Sequence, residues 1–346
     1  MNMKYKYIFC SCLIWLLATK TTAQQTKLNY TIARWLNNKK AALSLTFDDA
    51  INGQFTVALP LLNKYGYKCT FFIITSFVQP QLKGWQLVID AADSGHEIAS
   101  HTVTHPFLHR VTADSIAWQY AESNKIIAEH ITSQKTFTLA YPYGDGGNGT
   151  DSEQIVKSIA AKYYTGARAT RNNKLPYNAY GFAKTADDYY KINSDMMGDS
   201  VSNASFAPHL DETMRAGGWY SPTYHGIENG WIIVKKDDFI KHLEEIKKRE
   251  NNLWIAPFGD VIKYDKERNC ATLKVASENK HVLKLLLTHT LGDYNTYNQP
   301  LTINLNVAGY TVKNIKQAGK DLPFVVAGDM VTFNAVPGKQ EIIVEK

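Results

Sequence analysis

The chain has 346 residues, 45% of them hydrophobic and 12% aromatic, and a net charge of +6. That charge is too slight to suggest nucleic acid as a partner, and the length suits one large domain followed by a smaller one. Only four cysteines are present, so no dense disulfide scaffold is expected.

Residues 1–23 read as a secretory signal peptide. Lys4 and Lys6 precede an apolar run from Ile8 to Ala18, and Thr21-Thr22-Ala23 offers a small-residue cleavage site. The apolar run falls short of the roughly 20 residues that span a bilayer. The expected location is therefore secreted or periplasmic, without a membrane span. Two cysteines, Cys10 and Cys12, would leave with the signal. Cys69 sits in an apolar run and is expected to be a buried thiol.

After a polar lead-in, Ala41–Phe47 reads as a first strand that ends in two adjacent carboxylates, Asp48 and Asp49. Such a pair can be a helix cap and a turn acid. It is also costly in a core and useful at a site. Phe55, Leu59 and Leu62 then follow helical spacing up to Gly66, with Pro60 arguing for a break. Lys68–Thr75 is a near-continuous apolar strand of the buried, parallel type. A helix over 86–94, a strand over 96–100 and an amphipathic helix over 112–130 come next. A strand over 136–140 runs into the Tyr141–Gly147 loop, built by its proline and glycines. A helix over 154–161 and a strand over 163–167 continue the alternation.

Residues 170–216 are rich in Asn, Asp and Ser and show no clear periodicity. Gly217 to His225 looks like a strand reaching a loop. A helix capped by Asp237, a strand over 253–257 and a helix to Tyr264 complete the pattern. Repeated strand–helix alternation predicts an α/β fold with a parallel sheet, open or closed into a barrel, whose site collects at the strands' C-terminal ends. Asp48, Asp49, His101, His105, the Tyr141–Gly147 loop and His225 all fall at such ends. Past about Asn269 the pattern changes to short alternating runs separated by Gly, Pro, Asn and Asp. These predict a small antiparallel β-sandwich, in which His281 and His289 are expected to be surface residues.

One carboxylate and the His101/His105 pair make a facial set suited to a divalent metal, with zinc the natural choice for such donors. Histidines four apart come together on a helical turn. The remaining carboxylate suits a general base, and His225 a general acid on the opposite side. His96 and His109 read as packing or supporting residues.

Thr46-Phe-Asp-Asp49, Ser100-His-Thr-Val-Thr-His105 and Tyr141-Pro-Tyr-Gly144 resemble the first three motifs of the polysaccharide deacetylases, carbohydrate esterase family 4. The resemblance spans roughly residues 41–266. It implies a distorted (β/α) barrel with fewer than eight full units, in a catalytic domain over 24–268 that precedes an accessory sandwich over 269–346. It further implies Asp48 as base, Asp49, His101 and His105 as metal ligands, the Tyr143 backbone N–H as oxyanion donor and His225 as acid. The substrate would be an acetylated glycan, with Tyr141, Pro142, Gly144, Trp219 and Tyr224 expected to contact it.

The sequence departs from the family pattern at Ala140, where the family often has arginine, and at Thr223, where it has leucine. The family's fourth motif, an acid and a tryptophan, has Asp187 or Asp188 as its candidate here. Arg168 on the next strand is expected to take over the missing arginine's work on Asp48. Two other readings are weighed: a metal-independent cyclic-amide hydrolase on the same fold, and a non-catalytic carbohydrate-binding barrel.

Overall fold

A computed structural model describes residues 28–134, 138–146, 152–170, 175–198 and 200–346. The signal-peptide reading, Gly147 and the start of the 136–140 strand lie outside these. Among the described residues no helix is long and apolar enough to cross a membrane.

Seven parallel segments form a barrel. Its sheet runs Ala167–Arg168, Leu139–Ala140, Glu97–Ser100, Thr70–Ile73, Thr46–Asp48, Pro222–Tyr224 and Asp195–Met196. Ile192 closes the ring onto the Ala167–Arg168 strand. Its N–H reaches the Ala167 carbonyl at 3.0 Å, and its own carbonyl accepts from Ala169 at 2.9 Å. Phe72, the register partner of Asp48, points into the barrel, while Phe47 and Phe71 pack outward against Phe239 and Phe55; all three are fully buried. A barrel of this girth is filled by side chains, so the strands' C-terminal rim is left for chemistry.

The first strand is two pieces rather than the single run expected. Ala41–Leu43 belongs to a lower sheet with Leu253–Ile255, Trp219–Tyr220 and Tyr177–Asn178, while Thr46–Asp48 enters the barrel. The neighbouring strand breaks in the same row, between Tyr220 and Pro222. The break near Pro60 takes the form of a widened turn, with the Leu59 N–H bonded to the Gln54 carbonyl before the helix Leu59–Tyr65. Proline supplies no N–H for the ordinary ladder, and the turn widens instead. The strand expected over 163–167 is displaced to Ala167–Arg168, because Tyr163 and Tyr164 still close the preceding helix with N–H bonds to Ala160.

Two further corrections concern the rest of the chain. The helix Ser200–Ala216 lies in the stretch without visible periodicity; polar residues and an internal Pro208 mask a stripe through Phe206, Leu210 and Thr213. The lead-in is no lead-in, for Tyr30–Ile32 pairs antiparallel with Ile303–Leu305. The C-terminal β-region consists of two sheets. One holds Ala271–Glu278, Val282–His289, Ile342–Glu345, Asn314–Gln317 and Lys320–Asp321; the other holds Leu301–Asn306, Met330–Ala335, Phe324–Ala327 and Tyr30–Ile32. The division expected between 24–268 and 269–346 therefore separates this sheet from its own edge strand. His289 is buried, its Nε2 donating to the Tyr297 carbonyl at 3.0 Å, while His281 is exposed. Cys69 is a free, buried thiol.

Candidate metal centre and active site

The barrel rim brings together four segments far apart in sequence. Asp48 ends its strand, and the backbone then turns through two left-handed residues, Asp49 (φ 79°) and Ala50 (φ 59°). His101 follows the Glu97–Ser100 strand. Between it and His105 the chain is a loop and not the helical turn expected, with Thr102 (φ 69°) and His105 (φ 57°) both left-handed. Tyr143 (φ 59°) is left-handed as well. Non-glycine residues adopt this conformation at a cost that recurs at functional sites, and here five of them surround one point.

Three donor atoms converge there. His101 Nε2 and His105 Nε2 are 3.2 Å apart, and Asp49 Oδ1 lies 3.4 Å from the first and 3.7 Å from the second. A tetrahedral zinc with bonds of about 2.0–2.2 Å spaces its ligands by about 3.3–3.6 Å, so the set fits such an ion. Asp49 Oδ1 is buried and makes no hydrogen bond, as expected of an atom reserved for a cation. The other oxygen, Oδ2, accepts from the Trp231 indole at 2.7 Å. His101 donates its Nδ1–H to the Ala140 carbonyl at 2.7 Å, which turns Nε2 inward as a lone-pair donor.

Charge at the site follows from this crowding. Burial would raise the Asp49 carboxyl, but the imidazoles of His101, His225 and His105 hold it well below the usual carboxylate range. Burial would lower His101, yet Asp48 and Asp49 carry it above its ordinary value. His105 drops to about 4, through burial first and the His101 charge second.

Asp48 faces the same space. Its Oδ2 is 3.9 Å from His101 Nε2 and 3.9 Å from His225 Nε2. Arg168 Nη2 sits 2.5 Å from both Asp48 oxygens, and Nη1 donates to Ser194 Oγ at 3.0 Å. Ala140 and Arg168 are register partners on adjacent parallel strands. Register partners point to the same face, so an arginine at either position would enter the same space. Gln54 reaches the Asp48 carbonyl at 2.5 Å and the His225 carbonyl at 3.0 Å, tying the two rim segments together.

The substrate-contact expectations divide. Tyr143 is 53% exposed, its ring stacked on Phe107 at 3.8 Å and lying 4.4 Å from the His105 ring. Tyr141, Trp219 and Tyr224 are buried away from the rim. The Tyr141 hydroxyl donates to the Tyr190 carbonyl at 3.1 Å. Trp219 lies in the lower sheet and donates to Ser44 Oγ at 3.1 Å. Tyr224 alternates with His225, so its ring points out of the barrel between Phe47 and Phe239. Pro142 and Gly144 are buried shapers of the loop.

Asp188 caps a short helical turn, accepting from the Lys184 and Thr185 N–H groups, and so is not the fourth-motif acid. His225 Nδ1 is buried without a partner. His96 is buried against Cys69 and Asn63, and His109 pairs with Asp145 beside the Tyr143 loop. Sequence reasoning missed Gln54 and Trp231. The cluster Gly226-Ile-Glu-Asn-Gly-Trp231, directly after His225, was the available signal for the tryptophan.

The parallel barrel thus carries at its rim an Asp-His-His set whose donor atoms could hold a divalent metal. Residues 36–164 match the family model described as polysaccharide deacetylase. A gellan lyase of Bacillus sp is 26% identical over 314 residues, covering 85% of this chain and 12% of the lyase. A chitooligosaccharide deacetylase of Sinorhizobium fredii is 33% identical over 122 residues, covering 35% of this chain and 55% of the relative. Among solved structures, the Xyl-CE4 domain of a multidomain xylanase from the hindgut metagenome of Trinervitermes trinervoides aligns with a TM-score of 0.43 at 15% identity. That alignment covers 64% of this chain and 90% of the domain. The chain thus spans about half of the deacetylase it matches and a small part of the lyase.

Proposed function

We propose that the protein is an exported, metal-dependent carbohydrate deacetylase that hydrolyses N- or O-acetyl groups from a glycan. The observation that carries this is the convergence of Asp49 Oδ1, His101 Nε2 and His105 Nε2 beside an Asp48 held by Arg168. The family match and the chitooligosaccharide deacetylase among the relatives support an acetylated sugar as substrate.

A divalent cation, zinc by donor type, would be held by Asp49, His101 and His105, and when bound would polarise the acetyl carbonyl and make water more acidic. Asp48 takes the proton from the attacking water as the C–O bond forms at the acetyl carbon. Arg168 holds both Asp48 oxygens, so the base neither rotates away nor takes the place of Asp49. The Tyr143 N–H donates to the oxygen that gains charge. His225, across the site from Asp48, gives a proton to the departing sugar oxygen or nitrogen as its bond to the acetyl carbon breaks. Acetate and the free sugar group result. Tyr143 and Phe107 offer an exposed aromatic surface on the His105 side for a pyranose ring.

The complete ligand set argues against the metal-independent amide hydrolase, which would have no use for it. A decayed, binding-only barrel would lack one of the chemical positions, and Asp48, Asp49, His101, His105, Tyr143 and His225 are all present. Acetate release from acetylated xylan, chitin oligomers and peptidoglycan, with and without chelator, tests the proposal. Release that chelator abolishes and zinc restores is expected; no release from any of the panel by the zinc-loaded protein would refute it.

A further inference from the structure

Trp231 stands on a small loop that folds onto the chain just after the aspartate pair. Gly226 N–H donates to the Trp231 carbonyl at 2.9 Å, and Val234 N–H donates to the Gly226 carbonyl at 2.9 Å. Asn229 Oδ1 accepts from the Gly53 N–H at 3.1 Å. A methyl group on Gly53 would come within 1.9 Å of the Ile227 carbonyl oxygen, so the two segments touch backbone to backbone. Glu228 (φ 65°) and Ile232 (φ 49°) take left-handed conformations on either side of the tryptophan. This placement leaves 43% of the residue exposed while its one polar atom enters the buried site.

The consequence falls on Asp49. A free carboxylate offers two equivalent oxygens to a cation and can bind through one or both. Here Oδ2 is occupied by the Trp231 N–H at 2.7 Å, while Oδ1 is buried, unpartnered and aimed at the two Nε2 atoms. An indole can only donate, so it cannot compete for the cation. It can only select which oxygen meets it.

We propose that Trp231 is a positioning residue for the metal centre: its N–H commits Asp49 Oδ2, so that the cation is taken through Oδ1 alone. The inference rests on the metal reading above and adds to it a residue outside the ligand set. Partners of ligand carboxylates change affinity by roughly ten- to a hundredfold when removed.

The experiment is zinc titration of the chelator-stripped full chain by calorimetry, for wild type, Trp231→Phe and His105→Ala. Phenylalanine keeps an aromatic ring and removes the donor. One zinc per wild-type chain, a roughly ten- to hundredfold weaker site in Trp231→Phe and loss of binding in His105→Ala are expected. A wild type that binds no zinc refutes the metal centre and this proposal together. A wild type that binds one zinc, with Trp231→Phe within twofold of it, overturns the proposal alone.

A second measurement needs no variant to stay folded. In the 15N-labelled wild type one indole N–H should resist exchange and shift when zinc is added, and Trp231→Phe, where it folds, assigns that signal. If every indole N–H of the wild type is unmoved by stoichiometric zinc binding, Trp231 does not position Asp49.

Discussion

At the scale of single residues, the proposed reading divides the work between adjacent aspartates that the left-handed turn at Asp49 brings to one rim. Asp48→Asn keeps the three ligand atoms and removes the proton acceptor, so zinc should still bind while turnover falls by a hundredfold or more. Asp49→Asn should instead weaken zinc itself, as should His101→Ala. Metal content and acetate release measured on the same samples separate these outcomes, and the reverse pattern would exchange the roles. Arg168→Ala should keep metal and fold yet lose roughly ten- to a thousandfold in turnover, the range for a misoriented catalytic group. Since Ala140 is the register partner of Arg168, adding Ala140→Arg to that variant should recover part of the loss. A double variant no faster than Arg168→Ala would mean that the two positions do not reach the same carboxylate.

At the scale of elements, the Tyr141–Gly146 loop places Tyr143 through its packing. Gly144 has φ 63°, and a Cβ there would lie 1.9 Å from Thr170 Cγ2. The left-handed conformation costs an L-residue about 1 kcal/mol before any clash. Gly144→Ala should therefore displace the loop, lowering turnover more than zinc affinity, because the ligands stand on other segments. Equal losses in kinetics and zinc calorimetry would show that the loop and the metal site move as one. The sandwich edge strand Tyr30–Ile32 belongs to the same scale. It leads through Ala33, whose carbonyl accepts from the Tyr264 hydroxyl at 3.0 Å, into the barrel's first strand. The β-region is thus anchored at both ends of the barrel's chain.

At the scale of the whole molecule, Glu267 marks the join between the last barrel helix and the sandwich. Its buried carboxylate accepts the Gln299 N–H at 3.0 and 3.1 Å. Burial pushes it up from 4.5 to about 7. A raised pKa means that the folded state holds the proton more tightly than the unfolded chain. Its stabilising contribution is present below about pH 4.5 and is lost as pH rises through about 7. Glu267→Gln removes that titration, so its stability relative to wild type should improve by about 1–3 kcal/mol between pH 4.5 and pH 8. Urea unfolding at the two pH values measures this, and a difference that does not change with pH would exclude the titration of Glu267.

The sequence by itself determined what is local. Strand–helix alternation specified an α/β fold with a parallel sheet, the family resemblance pointed to its closing into a barrel, the change of period near residue 270 specified the β-region, and each short motif carried its chemistry on contiguous residues. Asp48 with Asp49, and His101 with His105, were legible because a strand end presents neighbours to one rim whatever lies beside it. Tertiary structure alone decided who meets whom. Trp231 reaches Asp49 across 182 positions, and Tyr141, Trp219 and Tyr224 are buried away from the rim although their segments reach the site. The physical reason is that alternation along a strand is read residue by residue, whereas register between strands is set by packing of the whole barrel. The closure through Ile192 and the helix Ser200–Ala216 escaped for the same reason: their polar sequences carry little local periodicity, and they are held by the surfaces they cover.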